Sequence, residues 1–378
     1  MTPIYLDYNA TTPIDSQVAE AMLPYIHGLY GNPSSGHAFG LEARAGVDRA
    51  RHQVASMLGC HDDEVLFTSG GTESDNHAIK GIAGADRARG NHVITSNIEH
   101  PAVEEVCRYL EIQGLDVTYL PVDGHGLIDP QQVEDTITDR TIMVTIMHAN
   151  NEVGTIQPIR EIADIAHRRG AVMHSDCAQS VGKIPVDVDD LGVDLLTIAG
   201  HKLYAPKGIG VLYIRRGVEI EKFMHGADHE MGRRAGTENI ILEAGLGIAC
   251  QLIEQNLDGY IQHMGQMRDR LEAGLQREIP GVRVNGHPEK RLPNTSSVSF
   301  KGQEANTILD KLQSVAASAG AACHSDRIDV SDVLKAMNLP IEYAMGTIRL
   351  SVGRDTTEDE IDRAVQEIAD VIRVQSHV

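Results

Sequence analysis

Ala199-Gly200-His201-Lys202 follows an apolar stretch ending near Ile198, so Lys202 sits at a strand end beside a glycine and a histidine. An amine held there, partly removed from water, stays nucleophilic enough to condense with a carbonyl group. A solvated surface lysine is the plain alternative. His174-Ser175-Asp176-Cys177-Ala178-Gln179 closes another strand candidate. Asp176 would face the crevice at the carboxyl ends of the strands. A carboxylate there could hold a protonated pyridine nitrogen, which is the better electron sink; a loop-capping aspartate is the other reading. Thr68-Ser69-Gly70-Gly71-Thr72-Glu73-Ser74 runs from strand through glycines into a helix, with Thr72 near its start. Free N–H groups and the helix dipole make a phosphate site, and Gly71 lets the backbone come close. No Gly-Lys-Ser/Thr follows, so this is not a Walker A loop; an ordinary glycine turn stays open.

Four further groups extend the pattern. His100, in Glu99-His100-Pro101, could stack on a planar ring and carry protons, or be structural. His148-Ala149-Asn150-Asn151-Glu152-Val153-Gly154 offers polar side chains at a strand end. Ser318-Ala319-Gly320-Ala321-Ala322-Cys323-His324-Ser325-Asp326 reads as a mobile loop of small residues presenting a thiol, with His324 promoting the thiolate. A buried, inert cysteine is the alternative. Arg349, in Ile348-Arg349-Leu350-Ser351, suits a bidentate pair with a substrate carboxylate or a structural ion pair. The order of the groups carries more than any one of them: phosphate loop, ring histidine, asparagine pair, aspartate, lysine, arginine.

These groups need strands to hold them. Strand candidates are Glu64–Thr68, His92–Thr95, Thr141–Met147, Ala171–Ser175, Asp194–Ile198 and Ile209–Ile214, short and apolar as in a sheet buried on both faces. Helical stretches such as Ile159–Arg169 separate them, which predicts a mostly parallel α/β sheet. Beyond Gly217 the pattern changes. Residues 240–253 read as a buried helix and 260–275 as an amphipathic one. Ser297–Phe300 and Ile348–Val352 read as strands, and a last helix opens at a Thr357-x-x-Glu360 capping box. The 378 residues, 42% of them hydrophobic, suit a large and a smaller domain. A net charge of −21 argues against nucleic acid and anionic membranes. Five widely spaced cysteines without a CxxC fit a reducing compartment. No signal peptide or membrane span is expected, so the default location is cytoplasmic.

With these motifs the sequence resembles the cysteine desulfurase family, fold-type-I pyridoxal-phosphate (PLP) enzymes of the class-V aminotransferase group. The resemblance runs from Tyr5-Leu6-Asp7-Tyr8-Asn9-Ala10-Thr11-Thr12 to Ile348-Arg349-Leu350-Ser351-Val352-Gly353-Arg354. It takes in Gly31-Asn32-Pro33-Ser34-Ser35 and Arg234-Ala235-Gly236-Thr237-Glu238-Asn239. It implies PLP fold type I, with a mostly parallel seven-stranded sheet in a large domain (15–258). A smaller α+β domain (1–14 and 259–378) would carry the cysteine loop. By the same resemblance Lys202 binds PLP as a Schiff base and moves protons. Asp176 faces the ring nitrogen, Gln179 the ring oxygen, and His100 stacks on the ring. Gly71, Thr72 and His201 hold the phosphate, with Thr237 reaching in from a second subunit of a homodimer. Asn151 and Arg349 bind the substrate carboxylate, and Asn151 also lies on the cofactor. Cys323 takes the sulfur of L-cysteine as a persulfide, leaves L-alanine and passes the sulfur to an acceptor such as an iron–sulfur scaffold. No metal ligands are implied.

Three departures bear on this. Ala199 stands where the family has a phosphate-binding serine, so one contact is lost or replaced. His225-Gly226-Ala227-Asp228-His229-Glu230 alters a glycine-rich wall; an altered loop is a simpler reading than a metal cluster. The Cys323 segment, Ala199 and Leu292-Pro293-Asn294-Thr295 look closer to selenocysteine lyases, which release selenide and alanine, whereas Pro101 after His100 does not. A PLP aminotransferase or β-lyase needing no Cys323 is a more distant alternative.

Overall fold

Apolar runs alternate with amphipathic stretches along the first two-thirds of the chain, and strands alternate with helices in the same order. The computed structural model describes the backbone of residues 3–324 and 327–375, and the side chains of 3–320 and 330–374. The chain opens with β1 (Ile4–Tyr5), α1 (Ser16–His27) and α2 (Ala38–Leu58). Then follow β2 (Val65–Thr68), α3 (Gly71–Ala85), β3 (His92–Ser96), α4 (Pro101–Ile112), β4 (Asp116–Leu120), α5 (Pro130–Thr136) and β5 (Thr141–Thr145). Next come α6 (Ile159–Arg168), β6 (Val172–Asp176), α7 (Val188–Leu191), β7 (Leu195–Ala199), β8 (Gly210–Ile214) and α8 (Ile240–Glu278). The remainder runs β9 (Arg283–Asn285), β10 (Thr295–Ser299), α9 (Ala305–Lys311), β11 (Val315–Ala316), β12 (Ser318–Ala319), β13 (Ala321–His324) and β14 (Arg327–Val330). It ends in α10 (Asp332–Ala336), α11 (Ile341–Ala344), β15 (Thr347–Ser351) and α12 (Glu358–Gln375).

The large sheet has seven strands in the order β2-β8-β7-β6-β5-β3-β4. Only β8 runs antiparallel to its neighbours. This is the expected α/β fold with a mostly parallel seven-stranded sheet. Successive side chains feed opposite faces: Val211 and Tyr213 enter one core, Leu212 and Ile214 the other. Both faces are therefore covered, which is why these strands read as unbroken apolar runs. Strand β4 was not among the sequence candidates. It is an edge strand, half-exposed except at Leu120, and so lacks that signal.

The two helices expected over 240–253 and 260–275 are one helix, α8. The polar stretch 254–259 between them is mostly solvent-facing and continues the helix. One end of α8 puts Leu246 and Ile253 into the core beneath the large sheet. The other puts Met264, Leu271 and Leu275 into a second core. That core also takes Ile4 and Leu6, strands β10 and β15 (Val298, Ile348, Leu350) and the apolar stripe of α12. The position between residues 258 and 259 falls inside α8. The small sheet, β12-β15-β10-β9, is antiparallel throughout. The Thr357/Glu360 capping box forms: Thr357 N–H donates to Glu360 at 2.8 Å and Glu360 N–H to Thr357 Oγ1 at 3.3 Å.

The altered segment 225–230 is fastened by Glu230. Its buried carboxylate accepts from Arg51 at 2.7 and 2.9 Å and from the Phe67 N–H at 2.9 Å. Among the described residues, no group of three or more His, Cys, Asp or Glu is arranged to hold a metal ion. None of the described helices is long and apolar enough to cross a membrane.

Leu271 is fully buried in the second core. Leu271→Ala is expected to cost about 2–5 kcal/mol, read as a lower denaturant midpoint for unfolding; a loss below about 1 kcal/mol would show that this core can collapse around the cavity.

Candidate active site

A parallel sheet aims the loops after its strands at one edge. Here β3 and β4 leave the centre in one direction and β5, β6 and β7 in the other, so a crevice opens between β3 and β5. Side chains from five strand ends meet there around a cavity of about 410 Å³. Gly71 and Thr72 follow β2, His100 follows β3, and Met147, Ala149 and Asn151 follow β5. Asp176, Ala178 and Gln179 come from the end of β6, and Ala199, His201 and Lys202 from the end of β7. Arg349 arrives from β15 of the small sheet, and Asn9 and Ala10 from the chain's beginning.

Lys202 Nζ donates to the main-chain carbonyls of Asn9 (2.5 Å) and Ala10 (2.9 Å). Burial, then Arg349, pull this amine down to about 8, while Asp176 and Asp7 raise it. Asp176 is buried, and its Oδ1 accepts the Ala178 N–H at 2.8 Å. Burial raises its carboxyl, and the Ala178 N–H, His100 and Lys202 lower it. His100 caps α4: its Nδ1 accepts the Ala102 N–H at 3.1 Å. That bond requires a bare Nδ1 and leaves the neutral ring's proton on Nε2. Burial holds this imidazole below its ordinary value, with Asp176 opposing and Lys202 assisting.

The start of α3 has Gly70 as its N-cap, at φ 151°, and no side chain caps it. The first amides of a fifteen-residue helix are thus free to take an anion beside His201. His201 is itself anchored by Nδ1 to Thr11 Oγ1 at 3.1 Å, and burial and Lys202 hold it neutral, at about 4. Ala199 lies against this end: a Cβ on Gly71 would come 3.3 Å from the Ala199 Cβ. These features fit pyridoxal phosphate. An anion arm matches the α3 terminus, a pyridinium nitrogen would give buried Asp176 a cationic partner in direct contact, and an aldehyde matches the Lys202 amine.

The asparagine pair divides. Asn150 is structural: its Oδ1 accepts the N–H groups of Glu152 and Val153, and its Nδ2 donates to Ile98 O at 3.1 Å. Asn151 lines the cavity. Arg349 donates to Asn151 O at 3.1 Å and to Ser318 Oγ at 3.1 Å, and pairs with Asp7 at 2.8 Å. Its buried Nε has no partner. Thr237 is exposed on a separate cleft with Gly236 and Glu238, and does not join Lys202 within one chain. Cys323 lies on β13 opposite Ile328 of β14, so the backbone is a hairpin where a loop was expected. Its side chain, Ser325 and Asp326 lie outside the described residues.

Sequence reasoning missed Asn9, Ala10, Asp75 and Lys183. Asp75 sits at the cavity floor, fully buried, its Oδ1 3.7 Å from His174 Nε2 and without a hydrogen-bond partner. Burial and then Asp176 raise its carboxyl well above the ordinary range. Its one signal was helical spacing, three residues after Thr72 on the turn that faces the sheet.

The chain belongs to the class-V aminotransferase family, whose sequence model matches residues 4–364. Within that family it falls with the cysteine desulfurases. It is 45% identical to the cysteine desulfurase IscS of Dictyoglomus turgidum, over 98% of this chain and 94% of that relative. It is 47% identical to a cysteine desulfurase of Trichormus azollae, over 98% and 93%. A solved NifS-like protein superposes with a TM-score of 0.93 at 36% identity, covering 99% of this chain and all of that one. A NifS-like protein from Rickettsia africae gives 0.88 at 30%, covering 98% and 99%.

An amine at about 8 is mostly neutral above that pH. Acylation of Lys202 in cofactor-free protein, followed by peptide mass spectrometry, should be half-maximal near pH 8. Asp176→Asn should lower that midpoint, because Asp176 stabilises the ammonium. A midpoint near the ordinary 10.5 would show a solvated lysine instead.

Proposed function

We propose that the protein is a PLP-dependent cysteine desulfurase that converts L-cysteine to L-alanine and carries the sulfur as a persulfide on Cys323. The observation that carries this reading is the convergence of Lys202, Asp176, His100 and the free start of α3 on one cavity. Lys202 would hold the cofactor, with Asp176 against its ring nitrogen and Gln179 at its ring oxygen. His100 would lie on its face, and Gly71, Thr72 and His201 around its phosphate. When bound, pyridoxal phosphate supplies an electron sink for charge left on the substrate α-carbon.

The remaining work falls to the chain. Arg349, its guanidinium already oriented by Asp7, Ser318 and Asn151 O, would meet the substrate carboxylate at the cavity wall, beside Asn151. Lys202, poised near neutral pH, takes and returns protons at carbon, and His100 Nε2 relays them. The Cys323 thiolate attacks the substrate sulfur: a C–S bond breaks, an S–S bond forms on Cys323, and a proton returned to carbon completes alanine. Burial pushes the thiols of Cys60, Cys107, Cys177 and Cys250 up to about 12, which removes them as nucleophiles. A homodimer would bring Thr237 of one subunit to the phosphate of the other, and an iron–sulfur scaffold would be a natural sulfur acceptor.

The test is product analysis with L-cysteine and L-selenocysteine on wild type, Lys202→Ala and Cys323→Ala. Alanine plus persulfide sulfur from cysteine is expected. Cys323→Ala should lower the cysteine rate at least a hundredfold while keeping the visible cofactor band, and Lys202→Ala should lose both. Turnover confined to selenocysteine would mean a selenocysteine lyase. Pyruvate or a keto acid, indifferent to Cys323, would mean a β-lyase or aminotransferase.

A further inference from the structure

Lys183 is 5% exposed, and the reaction above does not use it. Its Nζ donates to Gln179 Oε1 at 2.6 Å and to Asn9 Oδ1 at 3.1 Å. Among the described residues it has no carboxylate partner. The charged groups facing it are Lys202 and Arg349, both repulsive. Lys183 and Lys202 also line a narrow cleft with Tyr8, Tyr204, Tyr260 and Arg354. Burial, with those two cations, pulls its amine well below the ordinary lysine range. A buried amine without a counter-ion is costly in any structure, so what it holds matters.

It holds the carboxamide of Gln179. That group has its Oε1 on Lys183 and donates through Nε2 to Asn9 O at 3.0 Å. Turning the carboxamide over would set Oε1 against the Asn9 carbonyl, two acceptors face to face, and the hydrogen bond to Asn9 O would be lost to a buried mismatch. The orientation is therefore locked with the N–H edge toward Asn9 O, the carbonyl that also accepts from Lys202 at 2.5 Å. Asn9 completes the frame: its Oδ1 takes Lys183 and the Asn294 Nδ2 (2.9 Å), and its Nδ2 donates to Thr295 Oγ1 (2.8 Å).

We propose that Lys183 is a positioning residue that, through Gln179, fixes an N–H donor toward the cofactor's ring oxygen and so sets how tightly the cofactor-linked Lys202 nitrogen holds its proton. This rests on the reading of Gln179 as the ring-oxygen donor. Without the lock, Gln179 donates less, the ring oxygen becomes more basic, and the neighbouring nitrogen keeps its proton to higher pH.

The experiment is a pH titration of the visible absorbance of the purified holoenzyme. Lys183→Met should raise the midpoint by about one unit. In a Gln179→Ala background the same substitution should add no further shift, because the residue it acts through is gone. An unchanged midpoint in Lys183→Met overturns the proposal, and so does an equal shift in the Gln179→Ala background, which would mean a direct effect of charge. If Lys183→Met does not fold, Lys183→Ala carries the same expectations. A wild type without a Lys202-dependent visible band would overturn the cofactor reading and this proposal with it, an outcome distinct from an intact band whose midpoint does not move.

Discussion

A half-buried amine, Lys202, that must find hydrogen-bond acceptors away from open water is the constraint on which the rest of the molecule depends. In open water Lys202 would be an ammonium; sealed in apolar surroundings its N–H groups would have no acceptor. The solution is a pair of main-chain carbonyls, Asn9 and Ala10, which accept hydrogen bonds without adding a negative charge. Those carbonyls come from the start of the chain, so the N-terminal segment has to pass beneath the loop after β7. Thr12 fastens it there through His201 O and the Tyr204 N–H. On the small-sheet side Asn9 is tied to Ser351, Thr295 and Asn294.

The same low-dielectric cavity governs every other charge. Asp75, Asp176 and Glu99 are all buried near one another, and burial raises each carboxyl, Glu99 to about 8. Three carboxylates cannot share such a space in ionised form. Asp176 has His100 and Lys202 beside it and is the one suited to bear the charge. Glu99 instead uses its oxygens as acceptors for Ser96 and the Met147 N–H, bracing the loop before His100 against the end of β5. Arg349 keeps Asp7 as its counter-ion, so its guanidinium is already oriented, with Nε left over.

Arg349 also links the site to the segment bearing Cys323. Its Nη2 donates to both Asp7 and Ser318, and Ser318 itself donates to Asp7 at 2.8 Å. Ser318 opens the short strand that leads into the β13–β14 hairpin, and Ser331 caps the helix that follows it. The strand leading into the hairpin is thus tied to Arg349, and the Ser331 N–H donates to Gly320 O at 3.2 Å where the hairpin closes.

How much of this could be read from the chain follows from the range of each interaction. Local signals were sufficient where a side chain's place depends on its own strand end or helix start. Lys202 after β7, Asp176 closing β6, His100 capping α4 and Gly71 opening α3 are all of this kind. So were the buried strands, because burial on both faces leaves a run of apolar residues. The edge strand β4 and the unbroken course of α8 were not legible, since exposed polar residues in either place look like linkers. The long-range partners were invisible for a different reason. Asn9 meets Lys202, Lys183, Asn294 and Ser351 only after strands far apart in sequence are stacked, and nothing in Tyr8-Asn9-Ala10 marks its carbonyls as acceptors. Which asparagine of the pair faces the cavity, and that Gln179 accepts from Lys183, depended on hydrogen bonds among buried groups. The sequence by itself determined the chemical groups and the strand ends that carry them. Only the tertiary structure decided their protonation and orientation, because both are set by desolvation and by partners that the fold alone brings within reach.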